Sequence, residues 1–257
     1  MELKDLISVG LSGLAFALSL TATFVTLRQK KFEMERTLRY QLTDAIGKLN
    51  DVFEDATKLE LEKAGTLSEP AVLNLRAFYN GQKVFYARQA VYVSEQIPGL
   101  VSDAEYNSIA RAFLDVDDDE TGVRYYEKAI AAADGPMYKA TSLRGLGRIL
   151  IRMGETVRGR EAFSESLSLV PGPSESANWF QAETFQRWAQ IESAAGNHAE
   201  AEKLLEKSAL RYSAIHFPPR RIGGLANLDA ARKRLSLPIP AYAVTSSQES
   251  NRVGGSF

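Results

Sequence analysis

Arg144, Arg148 and Arg152 recur at steps of four, a spacing that sets three guanidinium groups on one stripe of a helix. A guanidinium presents planar paired donors that suit carboxylates and phosphates. The chemistry on offer is capture of an acidic group; the alternative is that these arginines pair with Glu and Asp on neighbouring helices. Little else suggests reactivity. The chain has no cysteine, which removes thiol nucleophiles, thiolate metal sites and disulfides. Its two histidines, His198 and His216, nearly exclude a multi-histidine metal site. His198 follows the Gly196-Asn197 turn and reads as solvated; His216 precedes Phe217-Pro218-Pro219 and reads as packing or capping at a helix end. There is no G-x-x-x-x-G-K-S/T phosphate loop, no G-x-S-x-G elbow and no H-E-x-x-H pair. Gly145-Leu146-Gly147-Arg148 follows no strand, so it is no dinucleotide fingerprint. The acidic run from Asp115 to Glu120 fails as a calcium loop, because Glu120 and Tyr126 stand where glycine and glutamate are needed. It reads as a solvated turn. No catalytic residue, metal or cofactor is expected, and the chain does not read as an enzyme.

Composition supports a folded chain. The 257 residues are 45% apolar and 25% charged, with 31 basic against 32 acidic side chains, outside the range of global disorder. A net charge of −1 argues against a protein built to neutralise nucleic-acid phosphates, despite the Arg220-Arg221 and Arg232-Lys233-Arg234 clusters.

The first element is an uncharged run from Leu6 to Leu27. As a helix it would rise about 33 Å, enough to cross a hydrocarbon core of about 30 Å. A cleaved signal peptide would have a shorter apolar region and a more basic start than Met1-Glu2-Leu3-Lys4-Asp5. A buried core helix is the other alternative. A retained transmembrane helix at about 6–27, within an anchor of residues 1–31, is expected. Arg28, Lys30, Lys31, Arg36 and Arg39 follow the run; the positive-inside rule then puts the C-terminal part in the cytoplasm of a single-pass membrane protein. Ser8 and Ser12, and Gly13, Ala17 and Thr21, recur at steps of four, spacing that would allow homo-oligomer contacts through the membrane helix.

Residues 32–98 form a juxtamembrane helical region. Leu38, Leu42, Ala45, Leu49, Val52, Ala56 and Leu59 make a heptad-like seam, widened by Ile46 and Phe53. That fits packing inside a helical domain better than a narrow coiled coil, though both readings stand. Gly65 is expected to end this helix. Two more helical stretches are expected, about 71–78 and 82–96, joined by a turn at Asn80-Gly81 and stopped by Pro98-Gly99.

Internal similarity follows over residues 99–215, in segments of about 103–136, 140–173 and 182–215. The first carries Tyr106, Ile109, Ala110 and Phe113, then Gly122, Tyr126 and Ala129; the second Leu143, Leu146, Gly147 and Leu150, then Gly159, Phe163, Ser166 and Pro171; the third Phe185, Trp188 and Ala189, then Ala201, Leu205 and Ser208. This pattern resembles the tetratricopeptide repeat (TPR), a helix-turn-helix unit of 34 residues. The outer two units depart from it. Their closing prolines are out of register, and Glu192 stands where an apolar residue is usual. The resemblance implies an all-α TPR-like solenoid, with a capping helix at 216–238 and a flexible tail at 239–257. It also implies that the first helix of each unit lines a partner-binding groove. That would place Asn107, Arg111, Arg144, Arg148, Arg152, Gln186 and Gln190 on the peptide-binding face.

The expected function is therefore a membrane-anchored adaptor or scaffold that holds a protein or peptide partner, acidic in character, in an Arg-lined groove. The alternative is an auxiliary or regulatory subunit of a channel, transporter or secretion assembly.

Overall fold

The computed structural model describes residues 3–62 and 68–235, with side chains from Phe16 onward except at positions 17, 60, 61 and 69. Gly65 and the expected tail at 239–257 lie outside these residues, as do the side chains of the apolar run before Phe16 and at position 17. Among the described residues every regular element is helical, and the chain divides into two compact units after Val101. Among the described residues no helix is long and apolar enough to cross a membrane; of the expected span at about 6–27, side chains are described only from Phe16 onward, without position 17.

The first unit holds α1 (Leu3–Glu62) and α2 (Glu69–Ser94). They run antiparallel: the Lys83 ammonium lies over the Phe53 ring, whereas Ala45 and Val93, further back on α1 and further on along α2, line one groove. Leu42, Ala45, Leu49, Val52 and Phe53 are buried on α1, and Ala87, Ala90 and Val93 on α2, so the heptad-like seam serves packing within the unit. The turn expected at Asn80-Gly81 does not form, and α2 passes through it as one helix. The covered side chains Val72, Leu75, Tyr79, Lys83, Ala87 and Ala90 keep one helical phase across the dipeptide. Continued packing of this stripe outweighs the roughly 1 kcal/mol penalty for glycine inside a helix. A 3-10 turn at Pro98–Leu100 closes the unit.

The second unit is a row of helix pairs: α3 (Asp103–Leu114) with α4 (Asp119–Ala132), α5 (Pro136–Arg152) with α6 (Thr156–Ser168), α7 (Glu175–Ala194) with α8 (His198–Ser213), then α9 (Pro218–Leu235). Local chemistry starts several of these helices. The Ser102 hydroxyl accepts from the Glu105 amide while the Glu105 carboxylate accepts from the Ser102 amide, a capping box. Asp118 and Ser174 cap α4 and α7 by accepting from Thr121 and Ala177.

The pairs repeat in their bonds as well as their order. Each inner turn closes with an amide donating to the carbonyl five residues before it: Asp118 to Phe113, Glu155 to Leu150 and Asn197 to Glu192, at 3.1, 2.8 and 2.8 Å. Each turn also has a positive φ, at Asp117, Gly154 and Gly196. Ser166 donates to the Ala140 carbonyl at 2.7 Å, and Ser208 repeats this toward Ala182 at 2.8 Å. Ala110, Gly147 and Ala189 occupy the same buried place in the three pairs. At Gly147 the approach is closest, since a Cβ there would lie 2.7 Å from the Phe163 ring and 2.9 Å from the Gly159 carbonyl oxygen. The second unit is thus an all-α helical-repeat fold. The first helices of the pairs lie side by side in the order α3, α5, α7, α9.

Candidate functional site

That row carries the seven residues expected on the groove, and the structure separates them. Asn107 of α3 donates to the Ser142 hydroxyl of α5 at 2.6 Å. Gln186 of α7 accepts from the Tyr212 hydroxyl at 3.2 Å and donates to the Asn227 carbonyl at 3.4 Å. All three bonds join one helix to another. Arg152 is held by the turn between α3 and α4. Its guanidinium donates to the Leu114 carbonyl at 2.8 Å and to both carboxylate oxygens of Asp119, with Asp117 at 3.1 Å. The acidic run therefore caps α4 through Asp118 and clamps Arg152 through Asp117 and Asp119. Arg111 and Gln190 are exposed, on α3 and α7.

Arg144 and Arg148 differ. Arg144 lies with its guanidinium 4.8 Å from the Phe180 ring centre and 3.4 Å from the Glu183 carboxylate. Its side chain is only 14% exposed. Burial, with the Arg187 charge adding to it, lowers its pKa to about 10 against the partial compensation of Glu183. Arg148, one turn further along α5, has no hydrogen bond or ion pair among the described residues. Burial lowers its pKa too; Arg187 and Arg152 repel it, while Tyr126 and Asp115 oppose the shift. Arg187 of α7, not singled out from the sequence, carries no hydrogen bond or ion pair among the described residues either. Its positive charge acts on Arg144, Arg148 and the Tyr126 and Tyr212 hydroxyls.

The structure thus brings together Arg144 and Arg148 of α5 and Arg187 of α7, with Glu183 as the near acid. Tyr126 and Tyr212 border the cluster. Burial raises both phenols, Tyr212 to about 12, so both remain neutral hydrogen-bond donors at physiological pH. Beside the cluster is a cavity of about 320 Å³ lined by Glu183, Gln186, Arg187, Gln190, Tyr212 and residues of α9 including Arg234. This arrangement can bind an anion. Guanidinium groups that repel one another in a partly buried site gain when a carboxylate enters, because the like charges are then shared with an opposite one. Sequence spacing could have found Arg187, which stands four residues after Glu183, the position that pairs with Arg144.

The histidines do other work. Exposed His198 meets the Ser193 hydroxyl through Nδ1 at 3.2 Å. The His216 amide and its neighbour at Phe217 donate to the Glu175 carboxylate at 2.9 Å each, tying the start of α9 to α7. Among the described residues no group of His, Asp and Glu could hold a metal ion.

No family model matches the chain, and no curated protein matches its sequence. Among solved structures, the crystal structure of MamA is similar at 16% identity and a TM-score of 0.39, over 65% of this chain and 90% of that one. The helical-repeat assignment stands on the bonds that recur within this chain.

Proposed function

We propose that the chain is a membrane-anchored adaptor of TPR-like design that holds an acidic segment of a protein partner against Arg144, Arg148 and Arg187. The observation that carries this reading is that covered Arg148 and exposed Arg187 make no hydrogen bond or ion pair among the described residues, beside a third guanidinium whose only ion-pair partner among them is Glu183. Surface arginines usually find acids or open water. Arg148 is largely covered and, although the Asp115 charge acts on it, makes no hydrogen bond or ion pair among the described residues, so its donors are open to a ligand. The near-neutral chain and its lack of a nucleic-acid module favour protein over nucleic acid as the source of the anion.

The anchor is supported by the described part of the apolar run. Phe16, Leu18, Leu20, Phe24, Val25 and Leu27 are all exposed, at 46–68%, which disfavours the buried-core alternative. The basic residues after Leu27 favour a cytoplasmic second unit.

One observation favours a second reading, an auxiliary subunit of a membrane complex. Helix α1 runs unbroken from Leu3 to Glu62, so a movement of the apolar segment would pass directly into the first unit. Capture from detergent extracts with mass spectrometry tests both. Under the adaptor reading, the full chain and a chain lacking residues 1–31 retain the same main partner, and the change of Arg148 and Arg187 to Glu releases it. Loss of that partner on removal of residues 1–31 would favour the subunit reading instead.

A further inference from the structure

Helix α1 passes without a break from the apolar run into Arg28, Lys30 and Lys31, and all three side chains are exposed. At about 1.5 Å per residue, positions 28–31 cover about 5 Å of helix axis, beginning where the run ends. The polar layer on each side of a hydrocarbon core is about 5–8 Å deep. The first acids come later. Glu33 stands about 9 Å along the axis from Leu27 and Glu35 about 12 Å, and the Glu35 carboxylate lies 3.8 Å from the Lys31 ammonium. The turn next to the run therefore carries three cations and no acid.

The spread of these residues around the helix selects the occupant. Each residue turns an α-helix by about 100°, so side chains two apart point about 160° away from each other. Arg28 and Lys30 are such a pair. Phe32 and Met34 are another, exposed at 66% and 57%. From Leu42 onward α1 is different, because Leu42, Ala45, Leu49 and Val52 bury one seam against α2. A protein or nucleic acid docked on one side of the stretch would leave half of its cations and apolar side chains uncovered. A bilayer surface surrounds a helix that leaves it, and anionic headgroups attract basic residues close to the end of a span. Continuity with the apolar run places this turn at that surface. We infer that Arg28, Lys30 and Lys31 gather anionic phospholipid headgroups around α1. This rests on the anchor proposed above and is independent of the arginine centre in the second unit.

The chain has no cysteine, so Phe24→Cys, at an exposed position of the run, takes a single fluorescent label. The labelled full chain is reconstituted in phosphatidylcholine vesicles that hold a minor fraction of either brominated phosphatidylglycerol or brominated phosphatidylcholine, whose acyl bromines quench the label on contact. The expected result is stronger quenching by the anionic lipid at low salt. That preference should fall at high salt, disappear when Arg28→Gln, Lys30→Gln and Lys31→Gln are combined in the labelled chain, and persist in Arg28→Lys. Equal quenching by both lipids without these changes, or a preference that survives the triple change, would overturn the inference and leave the anchor standing. No quenching by either lipid would overturn the anchor, and this inference with it.

Discussion

Arg160 and Glu192 are 32 residues apart and meet through two parallel hydrogen bonds, Nε to Oε1 at 2.7 Å and Nη2 to Oε2 at 2.9 Å. The Glu192 side chain is fully buried. Trp188 Nε1 donates to the same carboxylate at 2.9 Å and Asn197 Nδ2 at 2.7 Å. Trp188 also stacks flat on Phe163 of the preceding pair, ring centres 5.0 Å apart. One carboxylate thus ties α6 to α7 and to the turn that starts α8. Loss of one partner of a buried ion pair typically costs about 3–5 kcal/mol. Arg160→Ala is expected near the lower end, about 3 kcal/mol, because Arg160 is 43% exposed and water can take its place. Denaturant unfolding of the single variant measures this directly.

The same carboxylate predicts acid sensitivity. Burial alone would raise the Glu192 pKa, but the bonds from Arg160, Trp188 and Asn197 outweigh it, and the net shift is downward. A carboxyl depressed in the folded state contributes stability above its ordinary pKa and loses it as pH falls through the folded value. Stability measured from neutral pH downward should therefore fall through the acid range below ordinary glutamate titration. In Glu192→Gln that part of the decline should be absent, on a lower overall stability.

Gly147 tests the repeat register. A side chain at this position meets the Phe163 ring and the Gly159 carbonyl, and the latter is backbone. Gly147→Leu should cost about 1–3 kcal/mol or more by overpacking. Phe163 is fully buried, so Phe163→Ala should cost about 3–5 kcal/mol. Thermal melts of the two variants check both values.

The arginine stripe separates by stability as well as binding. Arg152→Ala leaves Asp117 and Asp119 without their cation and the Leu114 carbonyl without its donor, so it should lower the melting temperature. Arg148→Gln removes no hydrogen bond or ion pair known among the described residues and relieves repulsion by Arg187 and Arg152; its melting temperature should be unchanged or higher. Equal losses in both variants would mean that Arg148 is structural.

The repeat was legible because its small residues mark helix contacts wherever they fall: Ala110, Gly147 and Ala189 could be aligned without knowing any partner. Glu192 was visible only as an anomaly, since the Arg160 that neutralises it belongs to another helix pair and no local spacing connects them. Arg152 read as part of a binding stripe for the same reason; its acids, Asp117 and Asp119, stand at or just before the start of α4 while Arg152 ends α5, two helices apart in sequence. Asn80-Gly81 misled because a local turn signal is weak against an apolar stripe that runs in phase on both sides. The groove pattern selects Gln186 and Gln190 rather than Arg187; what brings Arg187 to Arg144 and Arg148 is the packing of α7 against α5.

The central claim is that Arg148 and Arg187 are held open for an acidic partner. The measurement is the affinity of the captured partner for the wild type and for the Arg148→Glu/Arg187→Glu variant, at low and high salt, beside their melting curves. A charge-assisted hydrogen bond contributes about 1.5–3 kcal/mol, so loss of two should weaken binding at least a hundredfold. Salt should weaken the wild-type complex strongly and the variant little, with both proteins equally folded. Equal affinity and equal salt dependence in two well-folded proteins would contradict it.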